Sequence, residues 1–266
     1  MRGKDGYQWI TTSDEGFVRY LVANILPHGY RFYTAGMVKP TTDLAHFDAV
    51  MEEKYCYRMS RSARWRRKAA TTPAGTPMNL GNVHYLRRDR FYILIATAGS
   101  HPFFRHNVTE TRDRHGRLLS RRKHFRDAHR DPIFFDGYSI RIDCEGGYRP
   151  RRLWADPEVP EWDGRPRVRV AIQREVMLTI RADFIARARS ARWSATVLES
   201  EVRKLPYLRY APVRQQLRSL VLAMNRERAK RGLSDRLDPK RCISSYIPAV
   251  GPFDRIEADN AASGAA

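Results

Sequence analysis

Six of the eight histidines fall between His84 and His129, and this is where residue types could support a reaction. The stretch HFRDAHRD, residues 124–131, sets two imidazoles and two carboxylates within eight positions. Histidine and aspartate side chains that converge on one point are ligands for a divalent cation. On nucleic acid, such a cation activates water and stabilises the leaving oxygen. A metal-dependent nuclease built here would draw on His101, His124, Asp127 and His129. The arginines interleaved with these residues would repel the cation, so the simpler reading of 105–131 is a basic, histidine-rich, solvated loop, with a short helix expected over Leu118–Phe125. A divalent metal is expected only if the chain cleaves nucleic acid, and no other cofactor is implied.

His101 follows an apolar segment, 91–96, and the turn TAGS, with Thr97 and Ser100 beside it. Residues at strand ends often line clefts. A Ser–His pair adjacent in sequence rarely reaches nucleophile geometry, so Ser100 and His101 are expected to finish a turn before Phe103 and Phe104 re-enter the core. Asp136, Asp143 and Glu145 form a second carboxylate set near strand ends. In a chain this basic they read as ion-pair partners. No GxxxxGK[ST] loop is present, and no GxGxxG follows a strand. The three cysteines, Cys56, Cys144 and Cys242, are far apart, which argues against a disulfide framework and a structural zinc.

Charge is the stronger signal. Across 266 residues, 49 Lys and Arg face 29 Asp and Glu, for a net charge of +20. A field of that sign attracts polyanions. The densest stretch is RMSRSARWRRKAA, residues 58–70, with five arginines and a lysine between Arg58 and Lys68. Arginine and lysine neutralise phosphates without needing a special fold. Arg58, Arg61, Arg64, Arg67 and Lys68 are therefore candidate nucleic-acid contacts. So are Arg121, Arg122 and Lys123 in the basic loop, and Arg214 and Arg218 in a later helix.

Several elements must position these groups. GYRFYTAGMV, 29–38, reads as a strand, and NVHYLR with RFYILIATAG as a hairpin turning near Arg88–Asp89. Asp43 can cap a helix over LAHFDAVMEEKY, and Ser60 a second helix through Ala70. On that second helix Arg61, Arg64 and Lys68 share a face, and Trp65 is expected to anchor the helix in the core. A short amphipathic helix, a turn and a capped basic helix resemble the helix-turn-helix plan, although the turn residues YCYRM include no glycine. Asp136–Gly137 should turn a further hairpin. Residues 183–205 read as one helix and 211–232 as another, with Val213, Leu217, Leu220, Val221 and Met224 on its apolar stripe and Arg228 largely off it. Aromatics on the strands (Tyr30, Phe32, Tyr33, Tyr85, Phe91, Tyr92) could stack single-stranded bases if the sheet face were open.

The expected fold is α+β: a mixed or antiparallel sheet with helices over 17–180, containing the basic helix (58–70) and the basic loop (105–131). A helical region follows over 181–250, then a disordered tail over 258–266. No apolar run approaches the ~20 residues that span a bilayer, and the first sixteen residues lack the apolar core of a signal peptide, so a cytoplasmic chain is expected. The favoured function is nucleic-acid binding without catalysis, DNA ahead of RNA because of the helix-turn-helix resemblance. Two alternatives share the charge. One is a nucleic-acid-processing enzyme, a metal-dependent nuclease or a replication or transposition factor of a mobile element. The other is a ribosome- or protein-interaction module.

Overall fold

The computed structural model describes residues 7–112, 114–115, 117–143, 166–243 and 251–253. The Gly-, Pro- and Trp-rich stretch 146–165, Cys144, Glu145 and the tail 258–266 lie outside the described residues. The chain divides into two compact units, residues 1–130 with 250–266, and residues 131–249.

In the first unit, Ser13 caps α1 (Asp14–Tyr20) by accepting the Gly16 N–H at 3.0 Å. A side chain at position 16 would collide with Pro252 Cα at 2.9 Å, so residues 251–253 can pass this close only because it is glycine. The helix runs on through a π-helical turn, Leu21–Ile25, and a 3-10 turn, Leu26–His28, which ends at Gly29 with a left-handed φ of 86°. Strand β1 (Tyr30–Met37) follows. Helix α2 (Leu44–Tyr55) is capped by Asp43, which accepts the His46 N–H at 2.7 Å. Helix α3 (Arg61–Ala69) then precedes the hairpin of β2 (Val83–Arg88) and β3 (Phe91–Thr97). Asp89 turns that hairpin at a φ of 48°. Helix α4 (Pro102–His106) leads to β4 (Val108–Arg112), β5 (Leu118–Lys123) and β6 (Arg126–Asp127). The sheet runs β2-β3-β1-β6, and β4 pairs only with β5.

The core of this unit is built from rings. Tyr7, Trp9, Tyr57, Tyr85 and Phe103 are buried together with Leu94 and Ala96. Within it Asp48 of α2 is buried and fully engaged. It takes two guanidinium nitrogens of Arg87 at 2.9 Å each, the Tyr85 hydroxyl at 2.6 Å and the Trp9 indole N–H at 3.1 Å. A buried carboxylate is tolerable only when every lone pair is answered in this way. The strand aromatics are likewise occupied. Phe32 meets Phe104 and Phe125, Tyr92 meets Phe47, and Phe91 meets Phe17. These strand rings therefore do not form the open stacking platform that their composition allowed.

The second unit opens with a three-stranded antiparallel sheet, β7 (Ile133–Phe135), β8 (Tyr138–Asp143) and β9 (Arg167–Ile172). Asp136 and Gly137, at φ 42° and 73°, make the turn expected between the first two strands. Helices α5 (Arg174–Ala188), α6 (Ala195–Lys204), α7 (Ala211–Lys230) and α8 (Pro239–Cys242) complete it. The single helix expected over 183–205 is two, because Ser194 starts a new one by accepting the Val197 N–H. The sheet and helices share one unit rather than separating near residue 181. Gln216 of α7 bonds both the N–H and the carbonyl of Ile172, at 2.8 and 2.9 Å, and so joins helix to sheet edge. The apolar stripe of α7 is buried as expected, and Arg228 is buried with it, 1% exposed, donating to the carbonyls of Trp193 and Asp235 and to the Asp235 carboxylate. Arg228 is thus a packing residue and not part of a solvated basic face.

Every ladder between named strands is antiparallel, and the fold class is α+β with a helical C-terminal region. Among the described residues no helix is long and apolar enough to cross a membrane.

Candidate functional site

Ser60 starts α3 where its position predicts, accepting the Ala63 N–H at 3.1 Å. The helix buries none of its residues. It is held instead by arginine hydrogen bonds. Arg64 donates to the Tyr57 carbonyl at 2.7 Å and lies 4.6 Å from the centre of the Tyr7 ring. Arg67 Nε donates to the Gly81 carbonyl at 2.9 Å. Asn82 reaches back from the start of β2, its Nδ2 donating to the Arg64 carbonyl at 3.0 Å. Just before the cap, Arg58 lies 4.3 Å above Trp9 and 3.9 Å from Glu52. Three of the expected phosphate contacts, Arg58, Arg64 and Arg67, are therefore engaged in fastening α3 to the unit.

Arg61 and Lys68 are different. Both are exposed, and neither makes a hydrogen bond or ion pair among the described residues. With Arg64 and Trp65 they line a cleft of about 780 Å³. The rest of its lining comes from Tyr20 and Asn24 in α1 and the π turn, Pro27 to Tyr30 at the entry to β1, and Asn82, His84 and Thr97 from the central hairpin. None of the described residues that line it is acidic. Trp65, expected in the core, is 70% exposed. Its neighbours on α3 are the arginines that hold the helix, so no apolar anchor is needed and the indole is left on the cleft side.

The titratable groups at the floor of the cleft are neutral. Burial, reinforced by the charges of Arg64 and His28, holds the His84 imidazole well below its usual pKa, so it is uncharged at neutral pH. The Tyr7 hydroxyl lies 2.9 Å from the Tyr85 carbonyl and 3.1 Å from His84 Nδ1, and accepts the Tyr85 N–H. The neutral His84 imidazole carries one N–H and one acceptor nitrogen, and the Tyr7 hydroxyl meets its Nδ1. Burial pushes the Tyr20 and Tyr30 hydroxyls up despite the opposing charge of Arg64, so both remain protonated donors.

The histidine candidates are dispersed into other roles. His101 caps α4, its Nδ1 accepting the Phe103 N–H at 3.0 Å. Burial, and then the charges of Arg67, His106 and Arg105, lower its pKa to about 4. His124 is exposed and pairs with the Thr109 hydroxyl at 2.7 Å. Asp127, in β6, faces Arg31 at 3.8 Å and accepts the His129 N–H at 3.1 Å. No group of three or more His, Cys, Asp or Glu is placed to hold a metal among the described residues. Asp143 faces Arg141 and Arg169, as an ion-pair partner would.

The basic segment after residue 105 is a two-stranded ribbon, not a loop with a helix. Residues 118–123 form β5, exposed along its whole length, because register with β4 satisfies its backbone where an isolated helical turn could not. Arg121 faces Glu110 across the ribbon at 3.5 Å, while Arg122 and Lys123 are exposed. In the second unit, Arg214 donates to the Arg209 carbonyl at 3.3 Å, and with Arg218, Lys240 and Asp238 it lines a hollow of about 560 Å³.

Sequence reasoning found the helix side of the cleft and missed Tyr20, Asn24, His28 and Asn82. Three others carried a signal for different reasons: His84 in the histidine cluster, Tyr30 among the strand aromatics and Thr97 beside His101. The chain matches no protein-family model, no curated protein and no solved structure.

Proposed function

We propose that this chain binds nucleic acid without cleaving it, through the cleft beside α3 and the basic ribbon β4–β5. One observation carries the reading: Arg61, Arg64 and Lys68 surround an exposed tryptophan in a cleft with no acidic residue among the described residues of its lining. Cations without counter-charges neutralise phosphates, and an exposed indole stacks on a base.

DNA is favoured over RNA. A two-stranded ribbon carrying Arg121, Arg122 and Lys123 fits the wide major groove of B-DNA, whereas the major groove of A-form RNA is too narrow for side chains to read. The helix-turn-helix mode is less well supported than it was by sequence, because the Arg61–Arg64–Lys68 face of α3 walls a cleft and does not project. The test is a titration of labelled duplex DNA, single-stranded DNA and RNA at several salt concentrations. Log affinity should fall linearly with log salt, by about 0.9 per phosphate neutralised on duplex DNA and about 0.7 on single strands. A salt-independent response, or no binding to any of the three polymers, overturns the proposal.

A further inference from the structure

The cleft has the size of a small-molecule site, within the ~300–1,000 Å³ typical of such pockets. A duplex does not enter a space of that volume; a nucleotide does. Arg61, Trp65 and Lys68 stand at i, i+4 and i+7 on α3, so the two free cations flank the indole with about 10 Å of helix rise between them. One cation would suffice for a terminal phosphate. Two, one on either side of a stacking ring, suit a nucleotide inside a strand, with a phosphate on each side of its base.

Two buried polar atoms of cleft residues have no partner among the described residues, Arg64 Nε and Asn82 Oδ1. Asn82 is 4% exposed, its Nδ2 gives one hydrogen to the Arg64 carbonyl, and its unpartnered atom is the acceptor Oδ1. The neutral His84 imidazole lines the same cleft. An unpartnered acceptor in the lining suits a base edge that carries amino hydrogens, as adenine, cytosine and guanine do. Thymine and uracil instead present a single N–H between two carbonyl oxygens.

We infer that the cleft between α3 and the Tyr20–Tyr30 segment takes one unstacked nucleotide of a nucleic-acid strand, its base on Trp65, its flanking phosphates on Arg61 and Lys68, and its amino-bearing edge toward Asn82 and His84. This rests on the nucleic-acid reading and specifies the ligand: an extruded or unpaired nucleotide and not the continuous duplex.

The experiment titrates the full chain with nucleoside 5′-monophosphates and 3′,5′-bisphosphates by calorimetry. In parallel it compares a blunt DNA duplex with the same duplex bearing a short unpaired overhang. Bisphosphates should bind about tenfold tighter than monophosphates, the increment of one charged contact. Adenosine and cytidine forms should exceed uridine forms, and the overhang should bind tighter than the blunt end. Trp65→Ala should remove mononucleotide binding, Trp65→Phe should retain part of it, and Arg61→Ala with Lys68→Ala should erase the bisphosphate advantage. Binding of both duplexes alike with no mononucleotide binding overturns this inference and leaves the nucleic-acid reading standing. Equal binding of mono- and bisphosphates overturns the two-phosphate placement, and mononucleotide binding unaffected by Trp65→Ala overturns the site. Absence of binding to every ligand overturns both readings.

Discussion

Helices α3 and α7 are the two most arginine-rich candidates for contact with a polyanion, and the structure seats them differently, α7 by an apolar face and α3 by hydrogen bonds. Helix α7 buries Val213, Leu217, Leu220, Val221, Ala223, Met224 and even Arg228. Two of its four arginines serve the unit, Arg228 by bonding backbone carbonyls and Arg214 by reaching Arg209, and Lys230 pairs with Glu227 at 2.8 Å. Helix α3 buries nothing, is held by hydrogen bonds of Arg64, Arg67 and Asn82, and leaves Arg61, Trp65 and Lys68 beside a cleft. The lesson is that a guanidinium is a five-donor hydrogen-bonding group as well as a charge. Counting arginines therefore overstates the surface available to a partner, and the free ones must be found individually.

Substitutions on the two helices should separate these roles. Arg228→Met should have the largest effect on stability, about 3 kcal/mol by urea unfolding, because several buried carbonyls lose their donor. Its cleft binding should be unchanged at denaturant-free conditions where it is folded. Arg61→Glu with Lys68→Glu should do the reverse, lowering affinity roughly 100-fold, about 2.7 kcal/mol, with an unchanged melting temperature. The seemingly equivalent pair Arg61→Glu with Arg64→Glu should also destabilise the unit, since Arg64 fastens α3 to Tyr57. Ser60→Ala removes the cap of a helix with no buried face and should cost about 1 kcal/mol, read as a weakened cleft before any global change. Trp65→Ala should alter stability by less than about 0.5 kcal/mol, as an exposed site does, while reducing binding; a large loss of stability would return Trp65 to the core.

A smaller effect tests the histidine assignments. His101 has a folded pKa near 4, below its unfolded value, so between these the unfolded chain binds more protons. Stability should fall as pH drops from about 6.5 toward 4. His101→Asn keeps a capping acceptor but cannot titrate, and should flatten part of that fall in a pH series of thermal melts. An unchanged profile would remove the buried-cap role.

Much of the fold was legible because its signals are local. Asp43 and Ser60 cap α2 and α3, Asp136–Gly137 turns a hairpin, and the 3.6-residue stripe of α7 is buried as its spacing requires. The ribbon β4–β5 was not legible, since exposed strands stabilised by mutual pairing carry no apolar alternation. Nor was the Asp48–Arg87 pair, whose partners lie 39 residues apart. Of the candidate site, the helix wall could be read from Arg61, Arg64, Trp65 and Lys68. Tyr20, Asn24, His28 and Asn82 opposite it could not, because only tertiary packing brings their segments beside α3.

By itself, the sequence determined the sign and density of the charge, the α+β elements and the placement of a capped basic helix at 61–69. Those properties follow from composition and from contacts a few residues apart. Only the tertiary structure decided which cations are free and which rings are exposed. A guanidinium is claimed by whichever carbonyl, carboxylate or ring the fold brings within about 3 to 5 Å. Trp65 shows this most plainly: its sequence neighbours marked it for the core, and the arginines that hold α3 left it facing the cleft.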